Sequence, residues 1–320
     1  MKEYRHPETG IYINTAKLRR RIKEGGLESS LRKSVWPHLL GVSQWDKPPD
    51  ANLQERKKEY LSLKAMWEGA NNLDDCEVAA VKQYHRVIEN DVDRTDRKGP
   101  LFHDRQGPLE ALRAVLLTFC CYKLGETIGY FQGMNDTVAI FCHVFDSAEE
   151  EAEIFWCFVA HIERRSQVYL QFPEGLHAEM KGIDRLLDSV DTELNDALRA
   201  ANDGSTQYPF LFQSVFLLLK REMSSYEACA RVWEACYASD NGLWDLIVVV
   251  AMIRMNRNKL LENGALELTD AVQAFNAFVG TLDAIQLLRM AQRTMTRLEA
   301  AHHGREAIGD VLNLMTGNWR

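Results

Sequence analysis

"PLEALRAVLLTFCCYKLG", residues 108–125, decides the fold class. Leu109, Leu112, Leu116 and Phe119 recur three and four positions apart, the spacing that lines up side chains along one face of a helix. Pro108 suits a first helical position and Gly125 suits a stop. Outward from it, "YHRVIENDVDRTDR" (84–97) and "EEEAEIFWCFVAHIERR" (149–165) also read as helices. The second opens on acids and ends on Arg164 and Arg165, which complements a helix dipole at both ends. Segments 208–223, 225–238, 243–257 and 269–303 follow the same pattern, and no segment alternates with period two and β-branched enrichment. The expectation is an all-α chain of a dozen or more helices, divided into two helical subdomains near residue 170. Polar breaks predict loops at 46–52, 97–108 and 200–209, and no repeat of solenoid period appears.

Composition bounds the function. At 320 residues, 46% hydrophobic and 26% charged, the chain can bury a sizeable core and has the balance of a soluble globular protein. A net charge of -8 argues against bulk attraction to nucleic acid or anionic lipid, and the short basic run Arg19, Arg20, Arg21, Lys23 reads as a solvated helix face. Cys76, Cys120, Cys121, Cys142, Cys157, Cys229 and Cys236 form no CxxC pair and sit mostly in apolar runs. They predict free core thiols in a reducing compartment. Cys229 and Cys236 lack a nearby third ligand, so core packing is expected there and no metal site. "MKEYRHPETG" lacks the apolar stretch of a signal peptide, and "LWDLIVVVAMI" (243–253) is too short to span a bilayer, so a cytoplasmic location is expected without direct membrane insertion.

The chain contains no G-x-x-x-x-G-K-[ST], G-x-G-x-x-G, H-E-x-x-H or G-x-S-x-G. No cofactor of its own is expected, nor the machinery of a self-contained enzyme. His302 and His303 read as surface residues ending a helix.

"GYFQGMND" (129–136) places an uncharged amide at the tip of a turn bracketed by Gly129 and Gly133, with Tyr130 and Phe131 to fix it and Asn135 or Asp136 available as caps. By itself the segment reads as a hydrogen-bonded turn. Upstream, Ile88, Asp91 and Arg94 fall three apart on one helix face. Ile88 can anchor that face, and the Asp91 carboxylate can accept from the Arg94 guanidinium and hold its rotamer. Alone, that pair reads as a surface salt bridge.

In combination the two change meaning. I-x-x-D-x-x-R, here "IENDVDR" (88–94), followed by Y-x-Q-G, here "YFQG" (130–133), resembles the paired signature of the TBC-domain Rab GTPase-activating proteins. R-x-x-x-W at Arg32 and Trp36, "FWCFVAHI" (155–162) and the segment 217–238 add to the likeness, which runs from about residue 22 to 255. The resemblance implies an N-terminal extension (1–20), a multi-helix TBC domain (21–302) and a tail (303–320). Within that domain, a subdomain to about 170 carries both motifs and a second spans 171–302. It further implies that Arg94 is an arginine finger and Gln132 a glutamine finger supplied in trans to a GTP-bound Rab. Asp91, Ile88, Tyr130, Gly133, Arg32 and Trp36 would support them. GTP and Mg²⁺ would sit on the partner, and recruitment to endomembranes in vesicle trafficking would follow through the Rab or other domains. The alternative is a Rab-binding scaffold of the same fold without catalysis.

The residue types suit that chemistry. Phosphoryl transfer to water spreads negative charge over a loose transition state, so a protein contributes mainly position and electrostatics. A guanidinium is planar, permanently charged and forked. A neutral amide can hold a water through its carbonyl while its NH₂ meets a phosphate or backbone group, where a carboxylate would repel.

Overall fold

The computed structural model describes residues 4–48, 51–96, 99, 101–103, 106–147, 149–239, 241–262 and 266–315. Among these the chain is α-helical with no strand, only isolated bridges pairing Arg5 with Tyr12 and Met223 with Leu282. It divides into two compact units, Met1–Arg164 and Arg165–Arg320.

The first unit holds α1 (Thr15–Gly25), α2 (Ser29–Leu39), α3 (Leu53–Glu68) and α4 (Ala79–Arg94). It continues with α5 (Gln106–Cys120), α6 (Lys123–Ile128), α7 (Met134–Val144) and α8 (Glu151–Arg164). The segment expected as one helix over 108–125 is two. The first begins before Pro108, the chain breaks at Cys121, and Gly125 lies inside α6 instead of stopping a helix. At the core, α7 is buried from Met134 through Cys142 and packs on α5 and α8. Helix α2 turns Arg32 and Trp36 inward against that core, and the indole meets Phe141 of α7 edge-on at 5.8 Å between ring centres. The expected loop at 97–108 falls largely outside the described residues.

The segment expected as an N-terminal extension is packed at two points. Tyr4 and Tyr12 are buried, and Tyr12 presents its ring edge to His38. Arg20, in the basic run on α1, pairs with Glu24 at the surface. His38 is buried among Tyr12 and Trp45, and burial, reinforced by the nearby Arg5 charge, lowers its pKa to about 4. A histidine depressed in the folded state takes up its proton on unfolding, so folded stability is expected to fall as pH drops from about 6.5 towards 4. Urea midpoints across that range, compared with a His38→Phe variant whose profile lacks this component, measure it.

The second unit contains α9 (Ser166–Leu170), α10 (Glu174–Val190), α11 (Thr192–Ala201), α12 (Phe212–Phe216) and α13 (Tyr226–Tyr237). It ends with α14 (Leu243–Met255), α15 (Arg257–Leu261), α16 (Leu268–Asn276), α17 (Ala284–Ala300) and α18 (His302–Met315). The apolar α14 is buried along nearly its whole length and packs on α10 and α17. Helix α18 covers α10 and α17, so much of the segment expected as a tail is packed helix.

Two expected helices are broken. In 208–223 only a short stretch is α-helical, because buried donors capture the carbonyls a longer helix would use. Arg165 Nη1 donates to Phe216 O at 2.9 Å, and Trp233 Nε1 donates to Leu218 O at 2.9 Å. Leu218 and Leu219 then turn the chain at positive φ (47° and 61°). In 269–303, Asp283 accepts from Gln286 N and caps a new helix, α17. His302 consequently opens α18, with its ring 3.4 Å from Glu306, and does not end a helix. All seven cysteines are free and buried, Cys229 and Cys236 among them, as the core reading expects. Among the described residues no cluster of three metal-ligating side chains occurs, and no helix is long and apolar enough to cross a membrane.

Candidate functional site

Helix α4 is amphipathic, and its buried residues Val81, His85, Ile88, Asp91 and Val92 repeat at helical spacing. Ile88 is fully buried, as its anchoring role requires, and α4 packs on α5 and α7. Arg113 of α5 fixes the middle of the helix through Glu89, with Nε to Oε1 at 2.6 Å. Arg94 is the last residue of α4 and is exposed, a place where a cation is favoured by the helix dipole. Thr95 follows it with extended backbone and is buried, so the chain turns inward directly after the arginine.

Gln132 stands in the turn between α6 and α7 and is exposed. Both bracketing glycines have positive φ, 75° at Gly129 and 105° at Gly133. Gly129, with ψ of -174°, occupies a region open essentially to glycine alone. A Cβ there would also lie 2.6 Å from Tyr84 Oη and 2.9 Å from its Cζ. Gly129→Ala is therefore expected to destabilise the fold by about 1–3 kcal/mol, read as a lowered thermal midpoint.

What joins the two segments is a buried set of hydrogen bonds. Tyr130 Oη donates to Asp91 Oδ2 at 2.8 Å. Asn135 Nδ2 donates to Thr95 Oγ1 at 2.9 Å, and Thr95 Oγ1 donates to the Asp91 carbonyl at 2.7 Å. Gly133 N donates to Asn135 Oδ1 at 3.2 Å. Burial and the Asp91 carboxylate together hold the Tyr130 phenol well above its ordinary pKa, so it stays a proton donor.

One expectation changes here. Asp91 and Arg94 make no ion pair. The Asp91 carboxylate points into the core and is taken by Tyr130, while the guanidinium stays at the surface, where water solvates it. Among the described residues neither the Arg94 side chain nor the Gln132 side chain has a hydrogen-bond or ion-pair partner. Asp91 thus acts on the turn, and any effect on Arg94 passes through the backbone of α4. Arg32 and Trp36 touch the site less directly: both are buried on α2, which packs on α7, the helix that starts immediately after the Gln132 turn. Sequence reasoning missed Thr95 and took Asn135 for a possible cap. The signal for Asn135 was available, since an amide in the first turn of a helix as apolar as α7 has to find a buried partner.

The all-helical fold is similar to solved structures. The Ypt/Rab-GAP domain of Gyp1p superposes with a TM-score of 0.77 at 19% identity, over 94% of this chain and 97% of that one. A Chlamydomonas flagellar RabGAP TBC domain gives 0.66 at 19% identity, over 91% and 87%. These likenesses concern the fold. The sequence profile of the Rab-GTPase-TBC domain matches residues 29–261, and the chain belongs to that family.

Among curated relatives it is 28% identical to mouse TBC1 domain family member 17 over 97% of this chain and 47% of that protein. It is 28% identical to the GTPase-activating protein gyp7 of Schizosaccharomyces pombe over 82% of this chain and 36% of that one. The chain thus spans less than half the length of these relatives.

Proposed function

We propose that this chain accelerates GTP hydrolysis by Rab-type small GTPases, and that Arg94 and Gln132 are its catalytic residues, supplied in trans. One observation carries the reading. Both side chains are exposed and, among the described residues, without a partner, yet they grow from segments tied together by buried hydrogen bonds. A cation and an amide held out in this way are prepared to meet something outside the chain. Membership of the Rab-GTPase-TBC family supports a Rab as that partner, and the name of the gyp7 relative, a GTPase-activating protein, supports the activity.

In this reading the GTP-bound Rab brings nucleotide and Mg²⁺. The Arg94 guanidinium neutralises charge developing on the transferring phosphoryl group, and the Gln132 carbonyl orients the attacking water. Asp91, Tyr130, Asn135 and Gly133 fix the turn, and Ile88 fixes the helix. The protein works in the cytoplasm and reaches endomembranes through its partner.

Single-turnover hydrolysis on a panel of GTP-loaded Rabs tests this. A rate increase with at least one Rab is expected, and Gln132→Ala should lower the stimulated rate by ~10²–10³-fold, as for removal of a preorganised polar group aimed at the reacting centre. Nucleotide-dependent binding with an unchanged rate across the panel would instead establish a scaffold.

A further inference from the structure

We infer that Asn135, acting with Thr95, is a positioning residue that couples the segment carrying Arg94 to the turn carrying Gln132. The inference rests on the roles proposed above for those two residues. Asn135 is the second residue of α7 and is buried. Its amide faces two ways. Nδ2 donates to Thr95 Oγ1 at 2.9 Å and lies 3.5 Å from the Asp91 carbonyl. Oδ1 accepts from Gly133 N at 3.2 Å and lies 3.4 Å from Tyr130 Oη, whose single proton goes to the nearer Asp91 carboxylate.

The consequence follows from chain order. Thr95 is the residue directly after Arg94, and Gly133 is the residue directly after Gln132. One planar side chain therefore bridges the residues next to each proposed catalytic residue, through the Thr95 hydroxyl on one side and the Gly133 backbone N–H on the other. It does not serve as an N-cap for α7, whose cap position is Gly133 without a side-chain bond, because its oxygen reaches back to Gly133 N. An amide is what the position demands. A carboxylate lacks the donor for Thr95, an apolar residue of similar size lacks both bonds, and each leaves buried groups unsatisfied. The separate hydrogen bond from Tyr130 to Asp91 ties the same two segments one turn deeper, so Arg94 and Gln132 are held as a set.

Two measurements test this, the first without any GTPase. Hydrogen exchange at the Gly133 amide is expected to quicken in Asn135→Ala. It should also quicken in Thr95→Val, although that change lies in the other segment, and return to the wild-type rate in Thr95→Ser, which keeps the hydroxyl. The second uses a Rab that responds to the wild-type protein. Asn135→Ala and Thr95→Val, checked for folding by their thermal midpoints, should lower the maximal stimulated rate by ~10²-fold while the half-saturating concentration changes less than about threefold. Thr95→Ser should retain the rate. Wild-type protection of the Gly133 amide in Thr95→Val, or an effect confined to the half-saturating concentration, would overturn the inference. A wild-type protein that stimulates no Rab would overturn the proposed function, and the exchange experiment would still decide whether the two segments are coupled.

Discussion

Arg94→Ala is expected to lower stimulated GTP hydrolysis by ~10³–10⁵-fold, roughly 4–7 kcal/mol of barrier, with almost no change in the stability of the protein. The asymmetry comes from where the residue sits. Arg94 ends α4, is exposed and bonds to nothing else described in the fold, so removing it opens no cavity and orphans no buried group. The structural penalty is confined to a favourable charge at a helix C-terminus, typically 0.3–1 kcal/mol. Arg94→Lys retains the charge but loses the forked, planar donor set, and should recover little of the rate. Single-turnover hydrolysis beside a thermal melt separates these effects. Full activity of Arg94→Ala on a responsive Rab would remove Arg94 from the mechanism.

Trp36→Ala should do the reverse. The indole is fully buried and meets Phe141 edge-on in the core between α2 and α7. Truncation removes that contact and leaves a void, at a cost of ~3–5 kcal/mol. Such a loss is a large share of the stability of a typical domain, so the variant should show a strongly lowered urea midpoint. Activity per folded molecule should change much less, because Trp36 is fully buried and presents nothing at the surface. A variant of wild-type stability would show that the tryptophan is not the support its burial indicates. Read together, the two substitutions separate the residue that acts from the residue that holds.

The candidate site was legible to the extent that it is local. The face of α4 follows from helical spacing, so Ile88 is buried as its anchoring role requires, while Arg94 closes the helix exposed. The two glycines around Gln132 announce a turn, and both have positive φ. The bond made by Asp91 could not be read in the same way. Local spacing offers Arg94 as its partner, whereas the fold brings in Tyr130 from 39 residues away. Thr95 and Asn135, 40 residues apart, meet for the same reason. The broken helix around Leu218 and Leu219 repeats the lesson, since its carbonyls are claimed by Arg165 from 51 residues before and Trp233 from 15 after.

By itself the sequence determined the helical class, the buried anchor Ile88 of α4, the thiols in the core and the two motifs that carry the proposed chemistry. All of these depend on residue type and on periodicity within a few turns. Only the tertiary structure decided which buried polar group meets which, and hence how Arg94 and Gln132 are held. The physical reason is that a buried donor or acceptor must be satisfied by whatever the fold places beside it, and chain spacing carries no record of that neighbour.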